Sequence, residues 1–251
     1  MLIKVIKISV VLASCASISS AVLARSHQAK VAPSKELATP EKKTITTPRY
    51  VVQDHLMPQG LTAISDEQIR DHWQLYKVTV GQVNNLHEEL AWLAAEGKGA
   101  TLHYTDRRRR FGYEYNGMVL HEYYFGNLKA KQVLNPKSLL AQKIVATFGS
   151  HQQWHDDFKQ CGLTRGIGWA ILYLDPATDN IINTFIADHE NGNIAGFMPL
   201  LVMDIWEHAY MVDHRAGGKA EYIDAFMQNI DWKKVEDRYM SAKSGKIPSR
   251  F

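Results

Sequence analysis

A change of hydrophobic period near residue 165 constrains this chain more than any other feature. Upstream the pattern is helical. Downstream come two short apolar runs, Gly168–Leu174 and Ile181–Ala187. Between them lies Asp175-Pro176-Ala177-Thr178-Asp179, the kind of segment that turns one strand back on another. Phe197–Asp204 is a third strand-like run. Helices first and a small antiparallel sheet afterwards predict an α+β chain. The expected organisation is an N-terminal helical hairpin domain over 61–132. A C-terminal domain with a three-stranded antiparallel sheet and helices follows over 133–245.

Local signals place the helices. Ser65 stands before Asp66-Glu67-Gln68, an N-cap followed by acids in the first turn. The helix predicted there spans 65–97 and breaks at Gly97-Lys98-Gly99. A second is predicted over about 113–128, ending near Gly126-Asn127. Pro136 opens a further helical stretch, and 151–161 is another. Glu221–Met240 closes the chain as helix, interrupted near Asp231-Trp232.

The first 24 residues are not read as fold. Lys4 and Lys7 precede an apolar, small-residue stretch, and Val22-Leu23-Ala24 matches a signal-peptidase site. The stretch is too short and serine-broken for a membrane span. Leu12-Ala13-Ser14-Cys15 also resembles a bacterial lipobox, whose cleavage would leave a lipid anchor at Cys15. Both readings export the chain, with a periplasm as the expected destination. Residues 25–60 hold four of the eight prolines, Pro33, Pro40, Pro48 and Pro58, without sustained periodicity. They are expected to form a flexible linker.

Charge and cysteine usage exclude several classes. The 29 basic and 26 acidic residues nearly balance at a formal +3, which gives no basis for nucleic-acid binding. Two cysteines rule out a disulfide-stapled scaffold and a Cys-rich zinc array. Arg107–Arg110 reads as a solvated basic loop just before the second long helix, with steering of a small anion as the other reading.

Common catalytic motifs fail. The zinc-protease pattern His-Glu-x-x-His is broken by Ala91 after His87-Glu88 and by Phe125 after His121-Glu122. His151 and His155 lie one helical turn apart in a polar segment and read as an exposed face. The informative string is Asp204-Ile205-Trp206-Glu207-His208-Ala209-Tyr210. Its Asp and His, four apart after an apolar strand, can converge on one metal ion. The string resembles the signature of the iron/manganese superoxide dismutase family. The resemblance extends over about residues 61–240. Gly60 to His72 is similar to the family's first metal-binding helix, and Asn116-Gly117-Met118-Val119-Leu120-His121 to its second. Phe148-Gly149, Phe158-Lys159, Gly168-Trp169 and Trp232 also fall where the family has similar residues.

The resemblance implies one iron or manganese ion per chain, held by His72, His121, Asp204 and His208, with water or hydroxide in the fifth position. It implies superoxide as substrate, converted to dioxygen and hydrogen peroxide. Gly117 would leave room for His189 to hydrogen-bond the metal-bound solvent. Trp169 and Trp206 would wall the site. Glu207 would pair across the interface of a homodimer with a ligating histidine of the second copy. Better-known members carry His and Tyr where this chain has Tyr76 and Val80, at the mouth of the substrate funnel. A tyrosine of the family is replaced by Met211. Tyr76 is therefore the expected phenol for proton delivery, with simple packing as the other reading. Two other readings of the chain stand beside a working dismutase. One is a non-catalytic secreted metal-binding or interaction protein that keeps the ligands. The other is a metal-dependent oxidoreductase acting on a different small oxidant.

Overall fold

The computed structural model describes Thr47 and residues 49–251. The expected leader at 1–24, Cys15, and most of the expected linker over 25–46 lie outside the described residues. Two long helices come first, α1 (Asp66–Ala95) and α2 (Leu102–Gly126). The side-chain oxygen of Ser65 accepts from Gln68 N at 3.0 Å, satisfying a free N–H of the first turn. Beyond α1 the backbone turns at Gly97, whose φ of +68° suits a residue without Cβ. Thr101 then caps α2 by accepting from Tyr104 N at 3.2 Å.

α2 therefore begins at Leu102, well before the expected start near 113. The first turns carry Thr105-Asp106 and the four arginines, so they show no apolar stripe. Arg107–Arg110 is accordingly helix, not loop.

Shorter helices α3 (Leu139–Phe148) and α4 (His151–Gly162) lead into the sheet. Strands β1 (Gly168–Asp175), β2 (Asn180–Ala187) and β3 (Met198–Asp204) form an antiparallel sheet in the order β2-β1-β3. β1 is central, and all its residues but the last are buried; this explains its unbroken apolar run. Helices α5 (Met211–His214), α6 (Lys219–Met227) and α7 (Trp232–Lys243) complete the fold. The hairpin and the sheet share one apolar core, in which Met118, Tyr124 and Phe125 of α2 join Ile171, Leu201 and Phe226. Helices followed by a three-stranded antiparallel sheet and further helices match the α+β expectation.

The end of the expected linker has defined contacts. Tyr50 exchanges hydrogen bonds with the Asn84 side chain, at 2.8 and 2.9 Å. Gln53 N donates to the Tyr76 hydroxyl at 3.2 Å. From Tyr50 onward this segment is laid against α1. Among the described residues no helix is long and apolar enough to cross a membrane.

Candidate metal centre

Sheet register and helix packing bring four side chains to one point. Trp169 of β1 lies opposite Asp204 of β3. His72 comes from the middle of α1, His121 from the last turns of α2, and His208 from the short 3-10 turn after β3. The ligand atoms of His72, His121, Asp204 and His208 all lie within 4.8 Å of one another. Asp204 Oδ2 is 3.1 Å from His72 Nε2, 3.1 Å from His208 Nε2 and 3.7 Å from His121 Nε2. Its other oxygen accepts from Trp206 N at 2.8 Å, which fixes the plane of the carboxylate.

The donors fit a metal ion. His121 Nδ1 lies 2.6 Å from the Gly117 carbonyl, so that nitrogen carries the proton and Nε2 offers a lone pair. His121 Nε2 is buried and has no hydrogen-bond partner. An orphaned acceptor of that kind is costly unless something binds it. Three imidazoles and one carboxylate, with no thiolate, suit iron or manganese.

Electrostatics prepare the donors. Burial, and then the charge of His72, push the His121 imidazole well below its ordinary range. Burial likewise lowers His72. For Asp204, burial alone would favour the neutral acid, but His208 and His72 outweigh it and hold the carboxyl far below the carboxylate range. Burial thus favours the lone-pair form of His72 and His121, and Asp204 is held as the carboxylate, the forms that bind metal.

His189 follows β2 and reaches back over the site. Trp169 Nε1 donates to His189 Nδ1 at 3.0 Å. Burial brings the His189 imidazole down to about 4. A neutral ring that accepts at Nδ1 holds its proton at Nε2. A Cβ at Gly117 would lie 3.2 Å from that Nε2 and 3.1 Å from Cδ2; the absent side chain is the space the imidazole uses. Trp206 stacks on both His189 and His208, at centroid distances of 4.8 and 5.6 Å. Glu207 is exposed on the rim beside His208.

A cavity of about 470 Å³ opens onto His121, His189 and His208. Its α1 wall is Leu75, Val78, Thr79, Gln82 and Leu86. Tyr76 and Val80 do not line this cavity; both are buried, with the Tyr76 ring 6.2 Å from that of His121. The Tyr76 hydroxyl donates to Glu122 Oε1 at 3.1 Å, and its ring packs on Trp73. Arg107 and Arg110 line the cavity from α2 but are paired with Glu89 and Glu114.

Two residues that position the ligands had no motif of their own. Gln68 Nε2 donates to the His208 carbonyl at 2.7 Å, while its Oε1 accepts from Val212 N at 2.9 Å. Gln68 sits one turn before His72, and that i, i+4 relation is its only sequence signal. Tyr222 donates its hydroxyl to the Asp204 carbonyl at 2.7 Å, a contact no local pattern announces.

Acidification should unfold the metal-free protein early. In the unfolded chain His189 takes its proton near 6.5, in the folded chain only near 4. The unfolded state therefore binds more protons within that window. Stability is complete above about pH 6.5 and falls by about 3 kcal/mol by pH 4. His72 and His121 shift in the same direction and add to the loss. Urea denaturation of the chelated protein at stepped pH checks this; a flat profile between pH 7 and 4 would contradict it.

A helical hairpin and a small sheet jointly close three histidines and an aspartate into a set that suits one ion, the arrangement expected of the iron/manganese superoxide dismutase class. Residues 136–238 match the family of iron/manganese superoxide dismutases, C-terminal domain. A superoxide dismutase (Fe) of Aquifex aeolicus (strain VF5) is 36% identical over 195 residues, 76% of this chain and 91% of the relative. One from Cupriavidus metallidurans is 34% identical over 189 residues, 74% of this chain and 93% of the relative. A superoxide dismutase (Mn) of Haloferax volcanii is 30% identical over 127 residues, 51% of this chain and 63% of the relative. The chain belongs to the iron/manganese superoxide dismutase family.

Proposed function

We propose that this protein is an exported superoxide dismutase that converts superoxide to dioxygen and hydrogen peroxide with one iron or manganese ion per chain. The observation that carries the reading is the convergence of His72, His121, Asp204 and His208 beneath a cavity shared with His189. The bound ion supplies the one-electron couple that the reaction needs. Asp204 contributes one negative charge to the site and so favours the higher oxidation state. His189 keeps a proton at Nε2 on the cavity side, set there by Trp169, and offers it as a hydrogen-bond donor. Trp169 and Trp206 exclude bulk water from the space around His121 and His208.

Export rests on the basic start, apolar stretch and small-residue cleavage site of residues 1–24, with lipidation at Cys15 as the competing form. A homodimer is supported by the exposed Glu207 beside His208 and by the half-exposed apolar pair Met211 and Val212. A second reading, a metal-binding member without turnover, is favoured by Val80 and Met211, which stand where better-known members have tyrosines. His189→Ala separates the roles. The variant is expected to keep its metal and lose about 10- to 100-fold in dismutation. Unchanged turnover at equal metal content would remove His189 from the mechanism.

A further inference from the structure

We infer that Tyr113 is a positioning residue for His189, and that Arg110 braces it in that role. The inference rests on the reading of His189 as the proton-holding group of the metal centre. Tyr113 lines the cavity from α2. Its ring meets the His189 ring edge-on, at a centroid distance of 4.6 Å and an interplanar angle of 66°. The Arg110 guanidinium lies over the Tyr113 ring, with Cζ 4.0 Å from the centroid. Arg110 is itself held by Glu114 Oε1, through Nε at 2.7 Å and Nη2 at 2.6 Å.

These contacts form a stack that runs from the cavity rim to a metal ligand. Arg110 covers Tyr113, Tyr113 abuts His189, His189 stacks on Trp206, and Trp206 stacks on His208. Several contacts orient the His189 ring, and the Trp169 bond fixes Nδ1. Trp206 covers one face and the missing side chain at Gly117 clears the space by Nε2. Tyr113 is the aromatic wall that α2 adds to this box. An aromatic edge contact stabilises one ring orientation beyond simple burial, and a cation over the ring adds to it.

The test compares the parent protein with Tyr113→Phe, Tyr113→Ala and Arg110→Ala, each loaded separately with iron and with manganese. Metal content, the midpoint potential, the visible spectrum of the bound ion and the dismutation rate are recorded on the same samples. Tyr113→Ala is expected to retain metal, to shift the spectrum and potential, and to lose about tenfold in turnover, the low end for an outer group around a metal. Tyr113→Phe keeps the ring and should recover the parental spectrum and most of the rate. Arg110→Ala should shift the spectrum in the same direction as Tyr113→Ala, by less. Combining Tyr113→Ala with His189→Ala should add nothing to His189→Ala alone, because the two act through one group. Parental spectrum and potential in Tyr113→Ala would overturn the inference, as would a Tyr113→Phe protein as impaired as Tyr113→Ala. If Tyr113→Ala does not fold, the spectra of Tyr113→Phe and Arg110→Ala decide: a parental spectrum in Arg110→Ala counts against the brace. Spectra and potentials remain readable even if the parent protein binds metal without turning over superoxide, so failure of the dismutase reading is seen separately.

Discussion

His208→Ala is expected to abolish metal retention and dismutation together. His208 is the most accessible of the four donors, with 21% of its side chain exposed, yet its Nε2 closes the ring of atoms around Asp204 Oδ2. Its backbone is held independently by Gln68, so truncation removes the imidazole without releasing the turn. Loss of a group outside the donor set commonly costs 10- to 100-fold, so loss of a donor should cost at least about 100-fold in metal affinity. The fold should survive, because the apolar core does not include the His208 side chain. Equilibrium dialysis against iron and manganese, with circular dichroism on the same sample, checks both parts. Parental metal content in the variant would refute the assigned donor set.

Arg238→Met is expected to produce the largest loss of stability of any change away from the metal centre. Arg238 is 1% exposed, and burial lowers its guanidinium to about 10, so it stays charged at neutral pH. Nη1 donates to Asn127 Oδ1 and the Leu200 carbonyl, at 3.2 and 3.1 Å. Nη2 donates to the carbonyls of Tyr123 and Arg250, at 3.1 and 3.2 Å, and Nε to that of Ser249 at 3.1 Å. One side chain thus ties α7 to the end of α2, to β3 and to the C-terminal segment. Methionine fills a similar volume but gives the Leu200 and Tyr123 carbonyls no donor, and it releases the C-terminal segment at Ser249 and Arg250. Leaving a buried acceptor without its donor costs about 1–3 kcal/mol, and several are affected at once. Chemical denaturation of the metal-free variant measures it; a loss below about 1 kcal/mol would show that Arg238 is dispensable.

Much of the architecture was legible because short-range patterns and tertiary needs agree. β1 is buried on both faces, and an uninterrupted apolar run is what such a position requires. Ser65 caps α1 as its sequence neighbours imply. The start of α2 was hidden because Leu102–Arg110 is stabilised by a cap and by exposed polar packing rather than by an apolar face.

The site was legible where a rare spacing carried it. Asp204 and His208 are close in sequence, and the two helix motifs supplied His72 and His121. Which residues of α1 line the cavity was not legible, for a geometric reason. Steps of four along α1 from His72 rotate by about 40° each, toward Tyr76 and Val80. Leu75 and Thr79 lie about 60° and 20° the other way. Which side meets the cavity is decided by how α2 packs at Gly117, where a Cβ would sit 3.3 Å from Thr79 Cγ2. That choice is tertiary. Tyr113 and Tyr222 were missed for the same reason, since each acts across elements far apart in sequence.

The most direct test of the central claim is dismutation measured against bound metal in the purified protein. The protein is loaded with iron and with manganese separately, and metal and rate are determined on one sample. The account predicts close to one ion per chain and fast dismutation with at least one of the metals, removed by chelation and restored on reloading. One bound ion per chain with no dismutation in either form would contradict it and establish a metal-binding protein built on this fold.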